Sequence, residues 1–334
     1  VDDSLFMRQM ISDILNKHPD IEVIDTAANG KLALRAIERH KPDVITLDVE
    51  MPEMNGIEAL KIIQQKFKTP TIMVSSVTTN GAQITLQALD IGAIDFITKP
   101  SGSISLDIGQ ISDEIIEKVL FAAKSKPITA KPKAIAKFIP KTRTIKSNKI
   151  VVIGSSTGGP KALKEVVPLL PADLPVPVLI VQHMPPVFTN SLAKRLDAIS
   201  MLKVKEAEEG DKLEAGTILL APGDYHMCLD KTGKQITLNK EPSVWGVRPA
   251  VDITLESVIK VYGKNVITAI MTGMGHDGSN GAKAIKKHGG YCIAQDEATC
   301  TVFGMPKTVI NNGCANEVVS LYEISNAIVK QVYS

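Results

Sequence analysis

Three residues in the second half of the chain could share one acyl-transfer reaction. Ser155 and Ser156 lie in Gly154-Ser155-Ser156-Thr157-Gly158-Gly159-Pro160, directly behind the apolar run 149–153. His183 follows the apolar run 176–181 and precedes Met184-Pro185-Pro186. Asp277 sits in Met271-Thr272-Gly273-Met274-Gly275-His276-Asp277-Gly278, after the run 266–271. A serine before a helix start faces free N–H groups and the positive end of a dipole, a good place from which to attack a carbonyl. A histidine can take its proton, and an aspartate can fix the imidazole tautomer. The order Ser, His, Asp differs from that of the α/β-hydrolases and the turn departs from GxSxG, but such triads are defined by geometry. A phosphate-cradling loop is the competing reading. It fits poorly, because Gly154, Gly158 and Gly159 do not make GxGxxG and Lys161 is not placed as in a Walker loop. Of the six histidines, His276 is the main rival to His183; His18, His40 and His288 sit near helix ends, and His226 lies among short β segments.

The first third of the chain carries a different chemistry. Asp2 and Asp3, Asp48 behind the run 44–47, Ser75 behind the run 71–74, and Lys99 before Pro100 all stand where strands should end. In an open parallel sheet those ends share one edge. Clustered carboxylates need a cation, and hard oxygen donors suit Mg²⁺. With that charge balanced, Asp48 can act as nucleophile toward a phosphoryl group, Lys99 supplies a fixed positive charge and Ser75 a hydroxyl. Gly56, after Met51-Pro52-Glu53-Met54-Asn55, suits a turn needing an open backbone.

Alternating helical and strand patterns must position both sets. In residues 1–122, helices are expected from Met7 to Leu15 and over 30–40, 57–67, 82–91 and 111–122, with strands at 21–25, 44–47, 71–74 and 95–97. This pace implies a parallel sheet with helices on both faces. Residues 123–148 are rich in lysine and contain Pro127, Pro132 and Pro140, with no acid between Glu117 and Glu165, so they read as an extended basic linker. Residues 149–334 alternate again, with an antiparallel insertion expected over 203–240. A net charge of +2 argues against a nucleic-acid partner, and no apolar run approaches the length of a membrane helix. The four cysteines match no zinc spacing and read as reduced thiols in the cytoplasm.

Residues 1–122 resemble a response-regulator receiver domain through Asp2-Asp3-Ser4, Leu47-Asp48-Val49-Glu50-Met51-Pro52-Glu53-Met54-Asn55-Gly56 and Thr98-Lys99-Pro100. Residues 149–334 resemble the catalytic domain of the chemotaxis protein-glutamate methylesterases. The stretches that carry this are Gly-Ser-Ser-Thr-Gly-Gly from Gly154, Gln-His-Met-Pro from Gln182, Leu-Ala-Pro-Gly-Asp-Tyr-His-Met from Leu220, Arg-Pro-Ala-Val-Asp from Arg248, and Met-Thr-Gly-Met-Gly-His-Asp-Gly from Met271. The resemblance implies an α/β chain of two doubly wound parallel-sheet domains, a flavodoxin-like receiver and a Rossmann-like methylesterase domain with a small antiparallel β insertion.

It also implies roles. Asp48 is the implied phosphoacceptor, with Mg²⁺ held by Asp3 and Asp48 and helped by Asp2 and the Glu50 carbonyl; Ser75 and Lys99 are the implied switch residues. Ser156, rather than Ser155, is the implied nucleophile, with His183 as base and Asp277 as its partner. The Met274 N–H and the Thr157 region are candidate oxyanion donors, and Arg248 and the loop before Asp252 candidate walls of a substrate groove. A structural ion pair is the other reading of Arg248. The implied activity is phosphorylation-activated hydrolysis of glutamate methyl esters, and deamidation of glutamine, on methyl-accepting chemoreceptors, with a chemotaxis histidine kinase as phosphodonor and no cofactor for the esterase. Two alternatives stand beside it: a signalling adaptor with an inactive esterase-like module, and a hydrolase of small esters. One departure is plain. The family carries a whole strand before the acidic pair, whereas here only Val1 stands there, so several residues of that strand are expected to be missing from the sequence.

Overall fold

A computed structural model describes residues 1–99, 108–124 and 147–334. The chain divides into two units, Val1–Lys126 and Pro127–Ser334. Nearly all of the expected linker 123–148 lies outside the described residues.

In the first unit, β1 (Ile45–Asp48), β2 (Thr71–Ser75) and β3 (Asp95–Thr98) form a parallel sheet in the order β1-β2-β3. Every residue of β2 is buried, as expected for a parallel strand covered on both faces. Around the sheet run α1 (Leu5–Leu15), α2 (Gly30–His40), α3 (Gly56–Ile62), α4 (Thr79–Ile91) and α5 (Ile108–Lys124). Ile11, Ile14 and Leu15 of α1 join Ile72, Val74 and Ile97 of the sheet and Ile115 and Val119 of α5 in one core. The expected helix over 57–67 ends its regular part at Ile62 and closes with a π turn. The expected strand at 21–25 is not formed. Val1 lies against β1: its N–H donates to the Thr46 carbonyl (2.8 Å) and its carbonyl accepts from the Asp48 N–H (2.9 Å).

The second unit is built on a seven-stranded sheet. Its strands are β4 (Ile150–Ser155), β5 (Val178–Gln182), β6 (Lys203–Glu206), β7 (Thr217–Leu220), β10 (Val266–Ile270), β11 (Tyr291–Gln295) and β12 (Glu317–Val319), in the order β12-β11-β10-β4-β5-β7-β6. All of its pairings are parallel. The antiparallel part is smaller than expected: only β8 (His226–Leu229) and β9 (Ile236–Asn239) pair that way. Residues 203–220 belong to the main sheet, because Val204, Ile218, Leu219 and Leu220 are buried there. Helices α6 (Gly159–Val166), α7 (Phe188–Asp197), α8 (Val251–Tyr262), α9 (Ser279–His288), α10 (Met305–Asn311) and α11 (Ile324–Tyr333) cover it. From β4 the chain steps to β5 on one side, and later returns to β10 on the other. The carboxyl end of β4 is therefore the point where strand order reverses, the place at which open α/β sheets leave a crevice for ligands.

Candidate active site and phosphoacceptor pocket

Ser155 ends β4, and the chain turns through Ser156 to the start of α6. The two serines differ in environment. Ser155 is fully buried and its hydroxyl donates to Gln182 Oε1 (2.7 Å), whereas Ser156 is only half-buried. Three bonds hold the Ser156 backbone: its N–H donates to the Thr272 carbonyl (3.0 Å), and its carbonyl accepts from Gln182 Nε2 (2.8 Å) and the Gly159 N–H (2.8 Å). Gln182 also donates to the His183 carbonyl (3.2 Å), so this one buried amide ties the serine turn to the end of β5. Gln182 opens the Gln-His-Met-Pro stretch, but the sequence assigns it no role. The signal available was a polar residue closing an otherwise apolar strand.

The close approach explains Gly159. A Cβ there would lie 1.9 Å from Gln182 Oε1 and 2.8 Å from Ser155 Oγ. Replacing Gly159 with alanine should therefore destabilise the second unit by about 1–3 kcal/mol through overpacking, measured as a lower urea midpoint for its unfolding transition.

His183 and Asp277 meet across the β4 end. His183 Nε2 lies 2.7 Å from Asp277 Oδ2, with side chains 8% and 2% exposed. The nitrogen facing a carboxylate carries the proton, which leaves Nδ1 as the basic nitrogen. Asp277 is held at the N-terminus of α8. Its Oδ2 accepts from the Val251 N–H (2.6 Å), and its Oδ1 accepts from the N–H groups of Asp252 and Gly278 (2.9 Å each). Burial works against its charge, but the bonds from His183 and from the Asp252 and Val251 amides prevail, and the carboxyl sits below the usual carboxylate range. His276 is turned elsewhere: it is exposed, and its Nδ1 pairs with Thr308 Oγ1 (3.0 Å).

The remaining candidates are placed as follows. Met274 is next to Gly273 in the loop whose Thr272 carbonyl binds Ser156, and the Thr272 hydroxyl donates to the Thr157 carbonyl (3.0 Å). Both therefore border the serine turn. Arg248 is occupied by the Asp224 carboxylate and by the carbonyls of Lys240 (3.2 Å) and Glu241 (2.9 Å). Arg248 thus makes an ion pair in the structure while remaining partly exposed. Asp252 is buried, accepting from the Gly281 N–H (2.7 Å) and from the Trp245 indole (3.0 Å). Burial and the neighbouring Asp277 push its carboxyl up.

In the first unit, one carboxylate oxygen each from Asp2, Asp3 and Asp48 lies within 4.8 Å of the others. Lys99 Nζ sits 2.8 Å from Asp48 Oδ2 and 3.0 Å from Asp2 Oδ2. Burial pushes the Asp48 carboxyl up, despite the opposing bond from Lys99. Burial works against the Lys99 charge too, but its bonds to Asp48 and Asp2 hold its pKa above the usual lysine value. Asp2 Oδ2 is buried, and its one charged neighbour is the Lys99 ammonium at 3.0 Å, with no further hydrogen-bond donor. Three carboxylates sharing one lysine leave an excess of negative charge on hard oxygen donors, which fits a divalent cation such as Mg²⁺. Gly56 allows the turn after Asp48 to close, since a Cβ there would lie 2.0 Å from the Asp48 carbonyl oxygen. Glu50 donates its N–H to Asp48 Oδ1 (3.4 Å). Ser75 is buried, and its hydroxyl points to the carbonyls of Ser76 and Gly81 (3.4 Å each) rather than to Asp48.

Residues 151–328 match the family model described as CheB methylesterase, and residues 1–107 match the response regulator receiver domain. The chain belongs to the CheB methylesterase family. It is 48% identical over 336 residues to a protein-glutamate methylesterase/protein-glutamine glutaminase of Thermotoga maritima, covering 99% of this chain and 97% of that relative. It is 47% identical over 339 residues to a protein of the same description from Pyrococcus horikoshii, covering 99% and 92%. Among solved structures, the Thermotoga maritima CheB methylesterase catalytic domain aligns with a TM-score of 0.54 at 49% identity, over 55% of this chain and 98% of that one. As a CheB-family chain it thus pairs a receiver with an esterase domain, both α/β with parallel sheets. Among the described residues, no helix is long and apolar enough to cross a membrane.

Proposed function

We propose that this chain hydrolyses glutamate methyl esters, and deamidates glutamines, on methyl-accepting chemoreceptors, and that phosphorylation of Asp48 raises that activity. The observation that carries the reading is the His183–Asp277 pair beside Ser156 at the strand-order reversal of a parallel sheet.

The Ser156 hydroxyl attacks the ester carbonyl while His183 Nδ1 takes its proton. The tetrahedral oxyanion is met by the Met274 N–H and by the Thr157 N–H at the start of α6. Collapse expels methanol, which receives the proton back from His183, and leaves an acyl-serine. A water then repeats the sequence, its proton passing through His183 to Ser156 as glutamate is released. With glutamine the leaving group is ammonia, and the rest is unchanged. Asp277 holds the imidazole tautomer and balances the imidazolium.

In the receiver, Asp3 and Asp48 would hold Mg²⁺ with help from Asp2 and the Glu50 carbonyl, and the ion supplies charge neutralisation at Asp48. Asp48 is the acceptor, Lys99 the fixed cation that follows its charge, and Ser75 the hydroxyl that would have to turn from Gly81 to meet a phosphoryl oxygen. The phosphodonor is the histidine kinase of the chemotaxis pathway. Four unpaired thiols agree with a cytoplasmic location.

Methanol release from methylated receptor membranes, with and without acetyl phosphate, tests the reading. Wild type should release methanol faster with acetyl phosphate. Asp48→Asn should retain the unstimulated rate and lose the stimulation; stimulation surviving in that variant would contradict Asp48 as the switch.

A further inference from the structure

Trp245 is the only tryptophan of the chain, and it is 53% exposed. It stands at the tip of a tight hairpin in which Val244 and Val247 exchange both backbone hydrogen bonds (3.2 and 3.1 Å). Trp245 and Gly246 form the turn with φ of 56° and 77°. This is a primed turn, whose first position favours asparagine, aspartate or glycine. A bulky side chain at positive φ is an outlier, and such outliers persist where the surroundings impose them, often for function.

The surroundings do impose it. The indole N–H donates to Asp252 Oδ2 (3.0 Å), and the ring stands edge-on to His276 with centroids 5.9 Å apart. The base of the hairpin is fixed by Arg248, through Asp224 and the Lys240 and Glu241 carbonyls, and by the buried His226, whose Nε2 reaches the Pro242 carbonyl (3.1 Å). A rigid aromatic face is thus held toward solvent instead of being folded away.

Its position relates it to the triad. Asp252, which receives the indole N–H, gives its own backbone N–H to Asp277 Oδ1 (2.9 Å), and His276 is the residue before Asp277. Trp245 therefore stands on the residues that hold the triad acid, and a protein segment presenting its scissile group to Ser156 is the occupant this exposed ring suits. Exposed, preorganised tryptophans are the residue type most often found to dominate protein–protein affinity.

We propose that Trp245 is the contact on which the receptor segment carrying the scissile group seats, setting affinity for the protein substrate. This rests on the reading of the site as a receptor methylesterase. The substitution Trp245→Asn removes the aromatic face, while Asn-Gly, a preferred primed turn, should keep the hairpin. Trp245→Phe, which lacks the indole N–H to Asp252 but keeps an aromatic face, separates the two contributions. In the full-length protein, the KM for methylated receptor membranes should rise about tenfold, as for loss of an interface hot spot, with the loss falling on KM rather than kcat. Trp245→Phe should recover most of it. In Ser156→Ala protein, the single tryptophan emission should shift on titration with a methylated, tryptophan-free receptor helix.

An unchanged KM in Trp245→Asn, while wild type turns over normally, would overturn the proposal. So would an emission that does not respond to saturating peptide. A Trp245→Asn protein that is faster without acetyl phosphate and normal with it would assign Trp245 to the receiver instead, and also overturn it. Failure of wild type to release methanol would remove the functional reading itself.

Discussion

Ser156→Ala should reduce methanol release from methylated receptors by roughly 10⁴-fold or more, the scale seen when a triad nucleophile is removed. The structure makes the prediction selective. Ser155 differs from Ser156 by one position, yet its hydroxyl is buried and committed to Gln182 Oε1. Ser155→Ala should therefore leave the acyl-transfer step in place and act only through the loosened Gln182 bridge. A radiolabelled-methanol assay on both variants separates them. A loss confined to Ser155→Ala, with Ser156→Ala active, would assign the nucleophile to Ser155, and no methanol release from wild type would favour the inactive binding module.

Asp277→Asn should cost about 10⁴ in kcat, as for loss of the acid that fixes a catalytic imidazole. An amide side chain has one acceptor oxygen, whereas Asp277 uses both oxygens to accept four donors, from His183, Val251, Asp252 and Gly278. The amide NH₂ would face either His183 or the start of α8. Facing His183, it would favour the tautomer with Nε2 unprotonated, and Nδ1 would no longer serve as base. The same carboxylate predicts a pH effect on stability. Its folded pKa lies below the unfolded value of 3.8. Its contribution is therefore present above that value and lost as pH falls through the folded pKa. Thermal melts of the second unit between neutral pH and pH ~3 should show that acid loss in wild type and less of it in Asp277→Asn.

Much of the site was legible because its residues sit where strand patterns stop. Ser156, His183 and Asp277 each follow an apolar run, and parallel strands deliver such positions to one edge whatever their separation in sequence. The same logic brought Asp48 and Lys99 together. What escaped was what periodicity cannot carry. Gln182 reads as one more strand residue until the serine turn folds against it. Trp245 reads as a loop aromatic until its φ and its bond to Asp252 are known. Residues 21–25 show the opposite failure: their β-branched alternation suggests a strand, yet they form none, because a local pattern by itself does not place a segment in a sheet. Residues 203–220 were misread for a related reason, since turn signals between short segments suggest hairpins, while the direction of pairing is set by burial against β5.

The placement of β4 between β5 and β10 has a consequence for how the protein is made. Serine and histidine leave the ribosome early, but the acid lies 94 residues beyond His183. At about 5–20 residues per second, that interval is roughly 5–20 s. During it β4 can pair with β5 on one side only, and the edge awaiting β10 stays open. A nascent chain thus carries two-thirds of a hydrolase with no means of polarising its histidine, and an unpaired strand edge that invites wrong partners. The late arrival of β10 covers the open side of β4 and brings the acid in one step, and the exposed edge then passes to β10 until β11 pairs with it.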